Sequence, residues 1–278
     1  MRIWRRSSRR IQSLERKLAG LTEQLEAVKS RFDVPDSLVE AFDTARGSPA
    51  YQSVYDKPNP LVSVCVATYH KPDELIGRCL RSLLAQTYAH LEIIVIGDCC
   101  TDDTSRRMAG EVTDPRVRYE NLPSRAAYPR DAELRWMVAG TPAMNRALEL
   151  ARGDFVTHLD HDDEHSPERV EQLLRFIQQT RADLVFHPFQ YQRQRGDWRL
   201  KEAREFRMAQ VTTSSVFYHR WFTRVGWDMH AYRFRETGDW GRFRRIRHLG
   251  ARVERYPEPL LKHYIEKSAH PRHSEAVD

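Results

Sequence analysis

The chain has 278 residues, of which 40% are hydrophobic and 30% charged, so it has ample apolar side chains for one large or two small folded domains. Its net charge of +6 is local rather than spread over the surface. Most of it comes from five arginines in the first ten residues: Arg2, Arg5, Arg6, Arg9 and Arg10. This distribution argues against a nucleic-acid-binding domain surface, whereas a basic tip suits an anionic membrane or polymer.

The cysteines and the hydropathy indicate a cellular location. Cys65, Cys79, Cys99 and Cys100 show no CxxC spacing, and two of them are adjacent, which suits neither a disulfide framework nor a zinc site. No apolar stretch approaches the roughly 20 residues that span a bilayer, and MRIWRRSSRR lacks the hydrophobic segment of a signal peptide. We therefore expect a cytoplasmic protein, free or peripheral at the inner face of the membrane.

Residues 1–32 are predicted to form a basic helix with one narrow apolar stripe. The stripe repeats at alternating spacings of three and four residues: Ile11, Leu14, Leu18, Leu21, Leu25, Val28 and Phe32. Such a helix either packs on its own domain or forms a coiled coil between chains, and the strict repeat favours the coiled coil. We expect a homodimer through residues 11–32, with the arginines held against anionic lipid or a partner.

The rest of the chain divides into segments that differ in composition and in hydrophobic periodicity. Residues 33–60 carry four prolines and a glycine with only a weak helical pattern, which predicts a linker. From residue 61 short apolar runs such as LVSVCVA and LEIIVIG alternate with amphipathic segments, a pattern typical of βαβ units and a parallel sheet. We expect one α/β domain over residues 61–265, with a nucleotide-type half followed by a more irregular half, and a tail over residues 266–278.

Three polar clusters follow predicted strands. They begin with Thr68, Tyr69 and His70, continue with the acidic turn of residues 98–103, and end with the acids of residues 160–163. In an open α/β sheet, ligands collect at the carboxyl ends of the strands. The aspartates of the middle turn would equally serve as a helix cap, but three such clusters on one predicted edge favour a binding site.

The segment FVTHLDHDDEHS concentrates negative charge after a buried strand. Asp160 and Asp162 flank one residue there, so that they could share a divalent cation with diphosphate oxygens. The alternative is a solvated turn in which Asp163 or Ser166 caps a helix starting near Pro167. The crowded carboxylates favour Mn²⁺ or Mg²⁺ over metals that prefer nitrogen ligands.

Several motifs in order resemble a known family. The run VSVCVATYHKPDELIGRCLRSLLAQTYAHLEIIVIGDCCTDDT, then NRALELARGDFVTHLDHDD, then ETGDW, is similar to the family two inverting glycosyltransferases of the GT-A fold, including the spore-coat polysaccharide type. The resemblance covers about residues 61–265. It implies a GT-A fold, in which a Rossmann-like nucleotide-binding half precedes an irregular acceptor half.

The resemblance also implies residue roles on the donor side. Thr68 and Tyr69 match the start of the nucleotide pocket, and Asp98 matches the carboxylate that reads the base. Asp160 and Asp162 match the DxD motif, in which the first aspartate lies near the ribose and the second binds the metal. The family's pattern differs in two places: many members have a second acid where Gly97 stands, and a proline where Ala67 stands. The extra Asp163 leaves open a metal pair of Asp162 with Asp163.

On the acceptor side, the resemblance matches Asp239 of ETGDW to the catalytic base. Glu236 is a weaker alternative, and both acids lie among arginines with which they would simply pair. Arg135 falls near a phosphate-side arginine of the spore-coat type. His263 is a minor candidate for a metal ligand supplied from near the C-terminal end of the domain. It is only minor because a lone histidine after two leucines is more often a packing residue.

The expected function is transfer of a sugar from a nucleoside-diphosphate sugar, with a UDP-sugar favoured, to a glycan or lipid-linked acceptor in cell-surface polysaccharide synthesis. The alternative is a non-catalytic carbohydrate-binding or scaffold protein on the same fold. A nucleotidyltransferase would need a triphosphate loop rich in arginine and glycine after its first strand, and ATYHKPDEL offers none. We expect no nucleic-acid partner.

Overall fold

A computed structural model describes residues 33–265 and ten positions before them. Those positions are Leu14, Lys17, Leu18, Gly20, Leu21, Thr22, Gln24, Leu25, Val28 and Lys29, all of them helical. The predicted basic tip of residues 1–10 and the predicted tail of residues 266–278 lie outside the described residues.

The strands and helices alternate over the first half of the domain. In chain order the strands are β1 (Val62–Thr68), β2 (Leu91–Gly97), β3 (Val117–Asn121), β4 (Phe155–His158), β5 (Glu164–His165), β6 (Leu184–Phe186), β7 (Phe189–Gln192), β8 (Trp198–Lys201), β9 (Val216–His219), β10 (Val253–Arg255) and β11 (Leu261–His263). The α-helices are α1 (Asp36–Arg46), α2 (Pro49–Gln52), α3 (Pro72–Glu74), α4 (Arg81–Leu84), α5 (Thr104–Glu111), α6 (Ala132–Met137), α7 (Thr141–Leu150), α8 (Arg169–Thr180) and α9 (Gly238–His248). A π-helical turn, Leu75–Leu80, joins α3 to α4, and 3₁₀ turns span Ser53–Asp56, Thr213–Ser215, Arg220–Arg224 and Ala231–Phe234.

A seven-stranded sheet in the order β10-β6-β9-β4-β1-β2-β3 forms the centre of the domain. Strands β1, β2, β3 and β4 run parallel, as the alternating pattern predicted, and β9 runs antiparallel to β4 and β6. The central strands are buried on both faces, which explains why their sequences are almost continuously apolar. A second sheet, in the order β5-β11-β7-β8, completes the irregular half.

Residues 33–60 differ from the predicted linker. They form α1, α2 and a 3₁₀ turn that pack into the same core as the sheet. Phe42 is fully buried against Trp221 and Phe222, with ring centroids 4.8 and 5.1 Å apart. The buried Tyr51 hydroxyl donates to Asp183 at 2.6 Å. Pro35 is the N-cap residue of α1 and Pro49 is the first residue of α2, so two of the four prolines mark helix starts rather than a solvated connection.

The N-terminal stripe is exposed where the structure describes it. Leu14, Leu18, Leu21, Leu25 and Val28 retain between 50% and 67% of their accessible surface. The helix therefore does not bury these side chains in its own domain, which leaves the predicted coiled coil as a proposal. Among the residues that the structure describes, every helix is too short or too polar to traverse a bilayer.

Candidate active site

The carboxyl ends of β1 and β2 lie side by side, as predicted. Thr68 is the register partner of Gly97, and the Asp98 amide donates to the Thr68 carbonyl at 2.9 Å. Within the described part of the chain, Thr68 Oγ1 and Asp98 Oδ1 are buried and have no hydrogen-bond partner. Buried polar atoms are seldom left unpaired, so these two atoms are available to hydrogen-bond a ligand at the ends of β1 and β2.

Tyr128 completes the surroundings of Asp98. Its hydroxyl donates to Asp98 Oδ2 at 2.7 Å. Burial raises the pKa of Asp98, and this hydrogen bond acts in the opposite direction. Tyr128 comes from the coil before α6, where no periodicity indicates which side chain turns inward, so it could not be predicted from its sequence pattern.

The structure explains the glycine before Asp98. A Cβ atom at Gly97 would lie 2.4 Å from Asn121 Oδ1 and 2.9 Å from the Tyr119 hydroxyl. The Asn121 side chain is held there by two hydrogen bonds to the backbone of Cys100, at 2.8 and 2.9 Å. Asn121 therefore occupies the space that a second acid would need, and this accounts for the departure from the family's pattern.

An aromatic and cationic stack lies next to this pocket. Tyr69 is 36% exposed, and its ring stacks on His70 with centroids 3.9 Å apart. The Arg125 guanidinium carbon lies 3.6 Å from the centre of the Tyr69 ring. A flat surface beside an unpaired carboxylate oxygen suits a planar heterocycle that both stacks and donates hydrogen bonds.

The third cluster brings Asp160, Asp163 and His263 together. One ligand atom from each of these residues lies within 4.8 Å of the others, and they are the only such group of three found among the described residues. Asp160 follows β4, which runs parallel to β1, so it shares the edge with Thr68. His263 reaches the cluster because its strand, β11, pairs antiparallel with β5, and β5 begins directly after Asp163.

Asp163 is not the helix cap that one interpretation predicted. It is fully buried, its Oδ2 lies 2.8 Å from His263 Nδ1, and its Oδ1 accepts from the Tyr264 amide at 2.9 Å. Helix α8 begins later, at Arg169, with no side-chain cap. Ser214 binds both ends of Asp160: its hydroxyl accepts from the Asp160 amide at 2.9 Å and donates to Asp160 Oδ2 at 3.1 Å.

Asp162 lies beside this group with different partners. Its Oδ2 accepts from Lys71 Nζ at 3.1 Å, and its carbonyl accepts from Arg78 in the π-helical turn at 2.7 Å. Burial acts to raise the pKa of Asp162, but the neighbouring His161 and Lys71 bring it below its usual value. Lys71 thus supplies positive charge at the acid that the resemblance matches to the metal-binding aspartate.

The electrostatics of the group reflect its crowded negative charge. Burial, together with the like charges of Asp163 and Asp162, raises the pKa of Asp160. Burial opposes a charged His263, but Asp163 and the other two carboxylates raise its pKa to about 9. Three acids this close repel one another, and a divalent cation would relieve that repulsion.

Asp239 stands in the first turn of α9. Its Oδ1 accepts hydrogen bonds from the Thr237 hydroxyl and from the Trp240 amide, the latter at 2.7 Å. Burial raises its pKa above the ordinary range. Its charge also contributes to the raised pKa of Asp160, so the two acids are electrostatic neighbours.

Two other predicted residues have partners of their own. Glu236 is buried and paired with Arg244 at 3.0 Å, rather than with Arg235 or Arg242. Arg135 is exposed on α6, and its guanidinium donates to the Arg130 carbonyl at 3.2 Å. The expected phosphate role of Arg135 therefore has no support from its contacts, and it stays a prediction.

Comparison with known proteins identifies the family. The model of the family described as "Glycosyl transferase family 2" matches residues 63–245, and the chain belongs to this family. It is 32% identical over 138 residues to the putative colanic acid biosynthesis glycosyl transferase WcaA of Escherichia coli, covering 49% of this chain and 43% of WcaA. It is 31% identical over 137 residues to the putative teichuronic acid biosynthesis glycosyltransferase TuaG of Bacillus subtilis, covering 49% and 50%. The chain thus spans about half the length of these curated relatives.

Solved structures share the GT-A fold. The S. aureus TarS 1–349 structure with UDP-GlcNAc superposes with a TM-score of 0.59 at 20% identity, covering 78% of this chain and 64% of that one. The Pyrobaculum calidifontis mannosyltransferase PcManGT, with GDP-Man and Mn²⁺, gives a TM-score of 0.55 at 19% identity, covering 88% and 70%. These similarities confirm the predicted fold class.

Proposed function

We propose that the protein is a metal-dependent inverting glycosyltransferase. It moves a sugar from a nucleoside-diphosphate sugar to a hydroxyl group of a glycan or lipid-linked acceptor, in the synthesis of a cell-surface polysaccharide. The observation that carries the proposal is the placement of the unpaired Thr68 and Asp98 atoms and the Asp160, Asp163 and His263 group on one edge of the sheet. The polysaccharide context is taken from the relatives WcaA and TuaG.

The donor set fits a hard or borderline divalent cation. Two carboxylates and one imidazole, with Asp162 adjacent, suit Mn²⁺ well and Mg²⁺ less well because of the nitrogen ligand. When bound, such a cation neutralises charge that develops on the leaving diphosphate. Asp160, Asp163 and His263 would hold it, and Asp162 would join them once its carboxylate leaves Lys71. Of the predicted pair, Asp160 belongs to this group of three, and the metal role of Asp162 stays a prediction.

The donor nucleotide would occupy the pocket at β1 and β2. Asp98 Oδ1 would accept from a base N–H group, and the base would stack on the outer face of the Arg125 guanidinium, because His70 and Arg125 already cover the two faces of the Tyr69 ring. Uracil, with one N–H flanked by carbonyls, suits a single unpaired acceptor next to the Thr68 hydroxyl, and on this ground a UDP-sugar is favoured. Asp160, which shares this edge of the sheet, would lie between the ribose and the diphosphate.

Asp239 would act on the acceptor. An acceptor hydroxyl is a weak nucleophile, so a carboxylate must take its proton as its oxygen attacks the anomeric carbon. That bond forms as the bond from the anomeric carbon to the phosphate oxygen breaks on the opposite face, and the nucleoside diphosphate leaves with its electron pair. The raised pKa of Asp239 brings its basicity closer to neutral pH, as a general base requires.

A thermal-shift panel of nucleotide sugars with Mn²⁺ tests donor binding. A donor at about 100 times its dissociation constant stabilises the folded chain by roughly 2.7 kcal/mol, which raises Tm by about 5 °C or more. The shift should need Mn²⁺ and should shrink in Asp98→Asn. Asp103→Asn is the matched control, because Asp103 lies in the same loop, is 47% exposed and pairs with Arg106. If no nucleotide sugar shifts Tm, the donor site is wrong. Binding without transfer to any acceptor would favour the non-catalytic alternative.

A further inference from the structure

A buried ionic cluster joins the N-terminal helix to the segment that carries Asp239. Glu236 is 2% exposed, and both of its carboxylate oxygens accept from Arg244 Nε at 3.0 and 3.1 Å. Its Oε1 also accepts from Lys29 Nζ at 3.0 Å. A buried carboxylate is stable only when it is paired in this way. Lys29 therefore completes the charge balance of a buried acid more than 200 positions away in sequence.

A second pair makes the connection bidentate. The two terminal nitrogens of Arg244 donate to the two oxygens of Asp33, at 3.2 and 2.8 Å. Lys29 also donates to the Phe234 carbonyl at 2.9 Å. The four side chains thus form one row of alternating charge, in the order Lys29, Glu236, Arg244 and Asp33. Lys29 and Asp33 belong to the N-terminal segment, whereas the almost fully buried Glu236 and Arg244 belong to the catalytic domain.

These contacts lie on both sides of Asp239 in the chain. Phe234 and Glu236 precede it, and Arg244 follows it on α9. Thr237, directly after Glu236, donates its hydroxyl to Asp239. Glu236 is therefore linked through one residue to the hydrogen bond that orients the Asp239 carboxylate. A shift of about 1 Å in a positioned catalytic group can cost up to 100-fold in rate.

We propose that Lys29 and Asp33 are positioning residues for Asp239, so that the N-terminal helix controls the rate of sugar transfer. Both residues lie outside the 63–245 segment that the family model matches. The proposal rests on the proposed function, in which Asp239 is the base. It assigns the N-terminal helix a role in turnover, separate from any role in assembly or membrane contact.

Lys29→Met in the full chain is the central variant, because it removes the ammonium and retains an apolar stem of similar length. Turnover should fall by about 10- to 100-fold while donor affinity, measured by calorimetry with Mn²⁺, stays unchanged. Lys29→Arg should recover most of the turnover, since a guanidinium can still bridge Glu236 and the Phe234 carbonyl. Lys17→Met is the matched control: Lys17 is the same residue type on the same helix, and it is exposed.

A double-variant cycle tests the route of the effect. If Lys29 acts through Glu236, then Lys29→Met should add little to the loss of turnover already caused by Glu236→Gln. Fully additive losses would overturn the proposed route. If Lys29→Met only destabilised the chain, turnover and donor affinity would fall together in that variant. Lys29→Arg would then show the same joint fall instead of recovering turnover. That result would also overturn the proposal.

Amide hydrogen exchange separates this proposal from the proposed function. In Lys29→Met, exchange over residues 234–241 should be at least about tenfold faster than in the wild type, and Lys17→Met should leave it unchanged. Unchanged exchange there overturns the positioning role, whatever the activity. If the wild type transfers no sugar from any donor, the proposed function fails, and the exchange result alone decides whether Lys29 fixes the segment.

Discussion

Replacing Asp239 by asparagine separates catalysis from folding and donor binding. An asparagine Oδ1 can still accept from the Thr237 hydroxyl and the Trp240 amide, so the side chain should keep its place. What is lost is the ability to take a proton. General-base catalysis contributes about 10²- to 10⁴-fold, so the activation free energy of transfer should rise by roughly 3–5 kcal/mol.

The fold should tolerate this change. Burial raises the pKa of Asp239 above its unfolded value, so its charged form is disfavoured in the folded state. This carboxyl therefore costs stability in full at pH values above its folded pKa; the cost shrinks as the pH falls below that value and is gone below the unfolded pKa. Because asparagine is neutral at every pH, Asp239→Asn should have a Tm at pH 7 equal to or higher than that of the wild type.

Three assays on one preparation decide the matter: turnover against pH, calorimetric donor affinity with Mn²⁺, and Tm. At saturating Mn²⁺, which keeps Asp160 and His263 in the metal-bound form, wild-type turnover should fall as the pH drops through the raised pKa of Asp239, and the variant should lack that part of the acidic limb. Asp228→Asn is the control, since Asp228 is 35% exposed and its Oδ1 accepts a local hydrogen bond from the His230 amide at 2.8 Å. A variant that keeps more than a tenth of wild-type turnover, or that loses donor affinity together with turnover, would refute the role of Asp239 as base.

Three further predictions concern the metal, the glycine before Asp98 and the N-terminal stripe. Asp162→Asn should weaken Mn²⁺-dependent nucleotide binding by more than about 10-fold, because loss of a residue that merely orients a metal ligand already costs about that much. Calorimetry that shows full Mn²⁺-stimulated affinity in this variant would contradict the prediction. Gly97→Asp should destabilise the chain by about 1–3 kcal/mol in urea unfolding because its Cβ meets Asn121 Oδ1, and a second change, Asn121→Gly, should recover most of that loss. Light scattering should give a dimer mass for the full chain and a monomer mass for Leu21→Asp, whose parent side chain is 64% exposed on the stripe; a monomeric full chain would rule out the dimer.

The nucleotide half of the fold was predictable because its rules are local. Apolar runs identify strands, and parallel strands place their carboxyl ends on one edge, so Thr68, Asp98 and Asp160 were expected to be neighbours. The register of β1 with β2 and β4 confirms that arrangement. The family and the GT-A fold are likewise confirmed. The chemical roles of the individual acids stay predictions.

The rest of the site depends on contacts between distant parts of the chain. His263 reaches Asp163 through the two-residue pairing of β5 with β11, which has no periodic signal in sequence. The prolines of residues 33–60 indicated a linker, because proline marks helix starts and solvated turns alike. The pairing of Lys29 with Glu236 joins residues 207 positions apart. It could not be predicted from the sequence, where Glu236 was matched only with nearby arginines.

The most direct test of the central claim is the release of nucleoside diphosphate from nucleotide sugars by the purified full chain. With Mn²⁺ and a panel of UDP- and GDP-sugars, we expect one donor to be consumed, either by slow hydrolysis or faster with an acceptor glycan. The release should stop with a chelator and in Asp162→Asn. A rate of nucleoside-diphosphate release that the chelator does not change would contradict metal dependence. No release and no binding for any donor would contradict the assignment of this chain as a nucleotide-sugar glycosyltransferase.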